Sequence, residues 1–401
     1  MSRILFLSSW FPFPPDNGSK IRIYNLLHAL SQRHQVRLIT FTHPNEQANI
    51  EELTFCHLAG VVPKLTFEPG RARAVLGFLS PTPRSLVDTF NPQMARLIAQ
   101  ELKQHRYDVV VASQLGTAVY VSGFAALPRI FEEVETGVLR EAYTNAPNRL
   151  ARFRAGLTWA KMRRYMRGLV RQFDACTVVS EQERTHLKEI APEYDRVTVI
   201  PNGVDVDVLR ADGLEPQPNT LVYNGALTYS ANYDAMRFFL DEIWHRIKAA
   251  EPSTQLQITG RTDGVDLSGL ALGDGAGLTG YLPDIRPTVA SAWACVVPLR
   301  IGGGTRLKIL EAMPLGTPVI ATRKGAEGLD VTAEENILIA DDPAEFAAQT
   351  VRLLRDPALR KRLAENARRL VETKYSWRAI GEQFNQLVEA VALREPEHDF
   401  V

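Results

Sequence analysis

The chain has 401 residues, more than one ordinary hydrophobic core holds, which predicts two domains of about 150 to 200 residues. With 45% hydrophobic and 23% charged residues, its composition is that of a globular protein rather than a disordered or fibrous one. Lys+Arg and Asp+Glu both number 46, so no overall field attracts nucleic acid and any basic patch must be local.

In chain order, short apolar runs at 3–9, 35–41, 108–113, 129–134, 175–180 and 197–201 alternate with helical stretches. A second series follows at 220–224, 255–259, 277–282, 294–299, 318–321 and 336–340. Continuous apolar strands alternating with helices predict parallel sheets covered on both faces, here as two doubly wound, Rossmann-like α/β domains. The Ala-Asp-Gly-Leu-Glu-Pro-Gln-Pro run within 210–219 reads as a linker near the domain boundary. Ligands of open α/β sheets bind beyond the carboxyl ends of the strands, so two such domains are expected to face each other across a cleft.

Cys56, Cys176 and Cys295 are far apart and odd in number, which builds neither a disulfide framework nor a metal site and fits a reducing cytoplasm. The apolar run Ile4-Leu5-Phe6-Leu7 is too short for a signal peptide. The uncharged stretch 109–128 has about the length of a membrane span, but Ser113, Gln114, Gly116, Thr117, Ser122 and Gly123 interrupt it. It reads instead as a buried strand leading into a short helix.

The chemistry concentrates between Gly302 and Glu311. A strand ends near Arg300, and Gly302, Gly303 and Gly304 let the backbone turn tightly against a ligand. Thr305 is placed to cap the next helix, whose first N–H groups, around Leu307 and Lys308, suit a phosphate or diphosphate. Arg300, Arg306 and Lys308 add positive charge, and the Glu311 carboxylate can accept two hydrogen bonds from a ribose diol.

This segment, with the 316–322 and 325–328 runs, resembles the donor site of glycosyltransferase family 4, which has the GT-B fold. Pro201-Asn202-Gly203-Val204-Asp205 resembles that family's hinge motif, and residues 14–19 its N-terminal glycine loop. Gly225 with Asn232, Gly280 with Asp284, and Tyr375-Ser376-Trp377 also match family positions. The resemblance covers nearly the whole chain. It implies an N-terminal acceptor-side domain over 1–205, a donor-binding domain over 206–375, and a last helix over 376–401 that packs back on the first.

The implied activity is transfer of a sugar with retention, from a nucleoside-diphosphate sugar to an acceptor hydroxyl, without a metal or other cofactor. Glu311 matches the ribose-binding second glutamate of the family's Glu-x7-Glu motif. Leu307 and Lys308 match the diphosphate cradle, and Gly18 with Ser19 matches the loop that approaches the diphosphate. The resemblance also departs from the family. Gly303 stands where the first motif glutamate falls, and Ala226 and Asn232 stand at positions of a donor-binding arginine and lysine. A histidine common in the family would fall near Ser113. The chain reads as a branch in which Arg300, Arg306 and Lys308 replace the missing cations. The expected partners are the nucleotide-sugar donor, of unknown base, and a saccharide or lipid-linked acceptor in surface polysaccharide or glycolipid synthesis.

Glu133 and Glu135 follow a strand, and alternation places them on one side, where they are candidates to bind or deprotonate the acceptor. The leaving phosphate can itself take that proton, so a protein base is not required. The Gly-x-Gly-x-x-Gly of 275–280 precedes a strand instead of linking strand to helix, which speaks against NAD. Asp205-Val-Asp207 reads as a turn rather than a metal motif, and no histidine pair has metal spacing. A sugar-nucleotide epimerase and a non-catalytic nucleotide-binding subunit are the rival readings.

Residues 149–171 carry Arg149, Arg152, Arg154, Lys161, Arg163, Arg164, Arg167 and Arg171, with no acid between Glu141 and Asp174. Met162, Tyr165, Met166, Leu169 and Phe173 form a stripe at helical spacing. This is either a helix packed on the first domain or a contact with anionic lipid. Arg71, Arg73 and Arg84 around the apolar 74–79 run favour peripheral association with the inner face of a membrane.

Overall fold

The computed structural model describes residues 1–43, 50–124, 126–144, 146, 148–211 and 213–394. The chain forms two compact units, one of Met1–Asn202 with the chain from Ile380 on, the other of Gly203–Ala379.

The first unit holds β1 (Arg3–Ser8), β2 (Gln35–Thr42), β3 (His57–Pro63), β4 (Val109–Ser113), β5 (Arg129–Glu132), β6 (Ala175–Val178) and β7 (Val197–Val199). These make one parallel sheet in the order β3-β2-β1-β4-β5-β6-β7. Ile4, Leu5, Phe6 and Leu7 are all fully buried, because helices cover both faces and successive side chains of the strand interior do not alternate out to water. β3 was not expected from the sequence. It is the edge strand, mostly half-buried, and Gly60 and Pro63 dilute its apolar signal.

The second unit holds β8 (Thr220–Asn224), β9 (Gln255–Thr259), β10 (Ala276–Gly280), β11 (Ala294–Val297), β12 (Val319–Ala321) and β13 (Leu338–Ile339). Its parallel sheet runs β10-β9-β8-β11-β12-β13. In each sheet the chain first winds to one side and then to the other. The reversal falls between β1 and β4 in the first unit, and between β8 and β11 in the second. The carboxyl side of that reversal is where an open α/β sheet leaves a crevice.

The 109–128 stretch is β4 followed by the Leu115–Val121 helix, and among the described residues no helix is long and apolar enough to cross a membrane. The 210–219 run lies inside the second unit, where the Gln217 N–H donates to the Ser291 carbonyl at 2.7 Å. The chain passes between units at Asn202–Gly203 and again at Ala379–Ile380. Within the second unit a Val204–Ser376 bridge ties the two passages together. The Trp377–Ala392 helix buries Ile380, Phe384, Val388 and Val391, and Asn385 donates to the Ala29 carbonyl of the first unit. Residues 395–401 of the expected last helix lie outside the described residues.

The basic stretch is a helix, Arg149–Val170, whose Asn148 side chain accepts from the Ala151 N–H as its cap. Met162, Met166, Leu169 and Phe173 belong to the core of the first unit, so the stripe read from the sequence is a packing face.

Candidate functional site

In the second unit, the carboxyl ends of β8 and β11 open onto a cavity of about 240 Å³. Gly225, Asn232, Gly303, Thr305, Arg306, Leu307, Lys308 and Glu311 line it, together with Asn224, Tyr229, Ala231, Leu299 and Ile301. Eight residues singled out in the sequence thus meet at the reversal of strand order, drawn from the β8 end, the Ser230–Phe238 helix and the loop after β11.

The glycine loop has a steric reason for its composition. Gly302 holds φ at 97°, and a side chain there would meet the Ala231 methyl at 2.8 Å and the Tyr229 hydroxyl at 3.0 Å. Gly225 is hemmed in by Asn232, Lys308 and Tyr223, each between 3.0 and 3.2 Å from where its Cβ would stand. Neither position has room for a side chain.

The next helix, Leu307–Ala312, starts differently from the expectation. Its cap residue is Arg306, not Thr305, and no side chain caps it. The Thr305 carbonyl instead accepts the Leu307 N–H at 2.9 Å, which removes that N–H from the expected cradle.

The three cations separate. Arg300 does not line the cavity. It pairs with Asp234 at 2.7 Å and lies over the Phe238 ring. Arg306 is buried, and its guanidinium donates to the carbonyls of Gly302, Gly303 and Lys324 and to the Glu327 carboxylate. It braces the glycine loop at the wall of the cavity. Lys308 also lines the cavity, and its ammonium donates to Asn232 Oδ1 at 2.8 Å. The Tyr223 hydroxyl donates to the same oxygen, while Asn232 Nδ2 donates to the Ala226 carbonyl, so the amide is fixed from three directions. Asn232 is thus a positioner of Lys308.

Burial, reinforced by repulsion from Arg306, pushes the Lys308 ammonium down to about 8. Burial pushes the Glu311 carboxyl up to about 7, against the opposing pull of the Asn224 amide and Lys308. Asn224 Nδ2 donates to Glu311 Oε2 at 3.0 Å and also to the Lys308 carbonyl. Sequence reading missed Asn224, although a polar residue closing the run Thr220-Leu-Val-Tyr is a signal in itself. A cation and an anion, both destabilised by burial and held by amides, line one small cavity.

The first unit assembles a second cluster where β1, β4 and β5 end. Gln114, just after β4, donates through Nε2 to Ser19 Oγ at 3.1 Å and to Glu133 Oε2 at 2.8 Å. Ser19 is in the first turn of the Gly18–Ser31 helix, which Gly18 opens and Asn17 caps. Gly304 belongs to the other unit's loop, with φ at 81°, and does not line the cavity. β5 ends at Glu132, and Glu133 turns with φ at 57°, so strand alternation does not apply to Glu133 and Glu135. Glu133 is half-buried and Glu135 exposed. Burial pushes the Glu133 carboxyl up to about 7, with Glu132 and Glu135 adding repulsion and Arg22 and Gln114 opposing.

Glu132, which the sequence reading passed over, is fully buried. It accepts from Arg22 Nε at 2.6 Å and from Ser113 Oγ at 2.6 Å. Arg22 also donates to the Pro201 carbonyl and Asn202 Oδ1, which anchors the hinge motif to the β5 end. Among the described residues no three His, Cys, Asp or Glu cluster as metal ligands.

Comparison with known proteins agrees with this architecture. Residues 16–208 match the model described as Glycosyltransferase Family 4, and 218–356 match the one described as Glycosyl transferases group 1. An MMP alpha-(1->4)-mannosyltransferase of Mycolicibacterium hassiacum is 26% identical over 220 residues, 52% of this chain and 51% of that one. Matches to curated relatives span only about a third to a half of their lengths. Sucrose-phosphate synthase from Thermosynechococcus elongatus superposes with a TM-score of 0.68 at 19% identity, over 97% of this chain and 99% of that one. Anabaena Alr3699/HepE in complex with UDP and glucose gives 0.63 at 16%, over 97% and 100%. With a family 4 domain followed by a group 1 domain, each built on its own parallel sheet, the chain belongs to the glycosyltransferases of the GT-B fold.

Proposed function

We propose that this chain transfers a sugar, with retention, from a nucleoside-diphosphate sugar to the hydroxyl of a saccharide or lipid-linked acceptor. The observation that carries the reading is that Glu311 and Lys308 both line the cavity at the β8 and β11 ends. A ribose diol donates two hydrogen bonds to the Glu311 carboxylate, which Asn224 holds in place. The diphosphate meets the Lys308 ammonium and the glycine-loop backbone. As the glycosidic bond breaks, that cation stabilises the charge growing on the leaving diphosphate. This work falls to side chains and backbone, so the proposal includes activity without a metal.

On the acceptor side, Glu133 is the proposed contact for the incoming hydroxyl, with the more exposed Glu135 beside it. A carboxyl near 7 accepts a proton readily at neutral pH. The mannosyltransferase relative and the UDP-bound neighbour are consistent with a nucleotide-linked hexose donor. Synthesis of a surface polysaccharide or glycolipid, in the cytoplasm, is the setting proposed. Gly303, standing in place of a carboxylate, favours one rival: a subunit that binds the nucleotide sugar without transferring it.

A thermal-shift panel of uridine, guanosine, adenosine and deoxythymidine diphosphates, their sugars and NAD, with and without EDTA, tests the reading. At a hundredfold excess over Kd, a ligand stabilises by about 2.7 kcal/mol, so even a modest donor ranks. Absence of any shift, or a shift with NAD alone, sinks it. Binding without transfer or donor hydrolysis leaves the subunit reading.

A further inference from the structure

The Arg149–Val170 helix has two apolar faces, and only one of them is covered. At roughly 100° per residue, Met162, Met166, Leu169 and Val170 share the side that packs on the core. Leu150, Phe153 and Leu157 fall on the opposite side, and farther along the same stripe come Lys161 and Arg164. These three apolar residues are 60%, 64% and 59% exposed, and no residue from 149 to 158 is buried. The first turns of the helix therefore project from the core of the unit.

A second segment joins this face. Lys161 Nζ donates to the Gly77 carbonyl at 2.7 Å, which pins the end of the Ala72–Leu76 helix beside it. Val75, Leu76, Phe78 and Leu79 are 51%, 65%, 64% and 90% exposed. Between Phe78–Leu79 and Lys161–Arg164 runs an open groove of about 880 Å³. Arg71, Arg73 and Arg84 do not supply the charge of this surface, contrary to the sequence reading. They bond Glu68 and Asp88, the Phe90 carbonyl and the Pro69 carbonyl, and so shape the segment. The charge comes from Arg154, Lys161 and Arg164 of the long helix, while Arg167 and Arg171 pair with Glu193.

We propose that this face, formed by the outer side of the Arg149–Val170 helix and the 75–79 tip, seats the first unit on an anionic lipid surface. The pairing of exposed large apolar side chains with arginines on one helix face fits the boundary between headgroups and acyl chains. A second copy of the chain would bring the two arginine-rich helices together. Nucleic acid would leave Leu150, Phe153, Leu157 and Leu79 wet. An anionic bilayer takes both the apolar and the cationic groups. The inference does not rest on the transferase reading, since vesicle binding is measured without donor or acceptor.

The test is flotation of the full chain with vesicles of phosphatidylcholine alone and of phosphatidylcholine with phosphatidylglycerol. Binding is expected only to the anionic vesicles and should fall at high salt. Arg154→Glu with Arg164→Glu should weaken it, by at least about fivefold for each cation lost. The triple change Leu150→Ser, Phe153→Ser, Leu157→Ser should abolish it with an unchanged melting temperature, because all three side chains are exposed. Equal flotation with neutral vesicles, or none with anionic ones, overturns the proposal. So does concentration-dependent self-association that the serine variant removes.

Discussion

Gln114 and Glu133 are bonded to each other, Nε2 to Oε2 at 2.8 Å, and each has a positive φ, 70° and 57° respectively. With ψ at 163°, Gln114 occupies a region that is nearly glycine-only and costs of order 1–3 kcal/mol. The surrounding backbone holds it there. Its N–H donates to the Glu132 carbonyl, and its own carbonyl accepts from Thr117 and Ala118. The Glu133 N–H donates to Thr177 Oγ1. Strain retained at the carboxyl end of a switch-point strand, where an amide meets a carboxyl raised to about 7, is the geometry behind the proposed acceptor role of Glu133.

Gln114→Gly should therefore separate backbone from side chain. Glycine accepts the φ and ψ, so the melting temperature should hold or rise. Loss of the amide removes a hydrogen bond that lowers the Glu133 pKa, so the acid limb of the pH–rate profile should move to higher pH. Transfer should fall about tenfold or more, the scale of a hydrogen bond to a charged group. Stopped-point assays of nucleoside diphosphate release across pH measure this, and an unmoved profile removes Gln114 from the mechanism.

The Arg22–Glu132 pair makes the opposite prediction. Both side chains are fully buried, and they join the Gly18–Ser31 helix to the β5 end and the hinge motif. Arg22→Met leaves an uncompensated buried carboxylate and should cost about 3–5 kcal/mol in urea unfolding. Arg22→Met with Glu132→Leu should recover most of that loss. If the double variant is as unstable as the single one, the pair is not what holds this junction.

Arg306 separates loop architecture from direct ligand contact. It braces three carbonyls and Glu327, so Arg306→Ala should destabilise the second unit by about 3 kcal/mol. Nucleotide affinity should fall as well, because the glycine loop loses its support. Lys308→Met removes the cavity's ammonium while Arg306 stays in place, and it should weaken nucleotide binding with little effect on stability. Calorimetric titration beside thermal melts distinguishes the two, and equal stability losses would argue against the division.

Much of this was legible because its signals are local. A buried parallel strand is a continuous apolar run, so β1, β8 and β11 could be read at nearly their observed ends. The glycine loop was legible because close approach demands glycine. What stayed hidden depends on partners far along the chain. Asn224 acquires meaning only when β8 and β11 pair and bring Glu311 to it. Arg306 read as a ligand-facing cation because its acceptors, the Lys324 carbonyl and Glu327, come 18 and 21 positions later. Glu132 and Glu133 are neighbours in sequence, yet the turn at Glu133 sends one into the core and the other to the strand-end crevice.

The pH dependence of nucleotide binding tests the proposed donor site most directly. In that proposal the working forms are ionised Glu311, to accept from the ribose, and protonated Lys308, to meet the diphosphate. Glu311 is raised to about 7, so it loses its negative charge as pH falls through that value. Lys308 is lowered to about 8, so it loses its positive charge as pH rises through that value. Affinity for the nucleoside diphosphate should peak between the two and decline on both sides. The nucleotide's own phosphate, with a second pKa of about 6, adds to the acid limb, so the variants carry the diagnosis. Glu311→Gln should bind roughly ten- to a hundredfold more weakly at pH 7.5, and its acid limb should retreat to that of the phosphate alone. Lys308→Met should flatten the alkaline limb and leave the acid one. Calorimetric titrations from pH 5.5 to 9.5 read both, and a variant that keeps the full bell displaces its residue from the site.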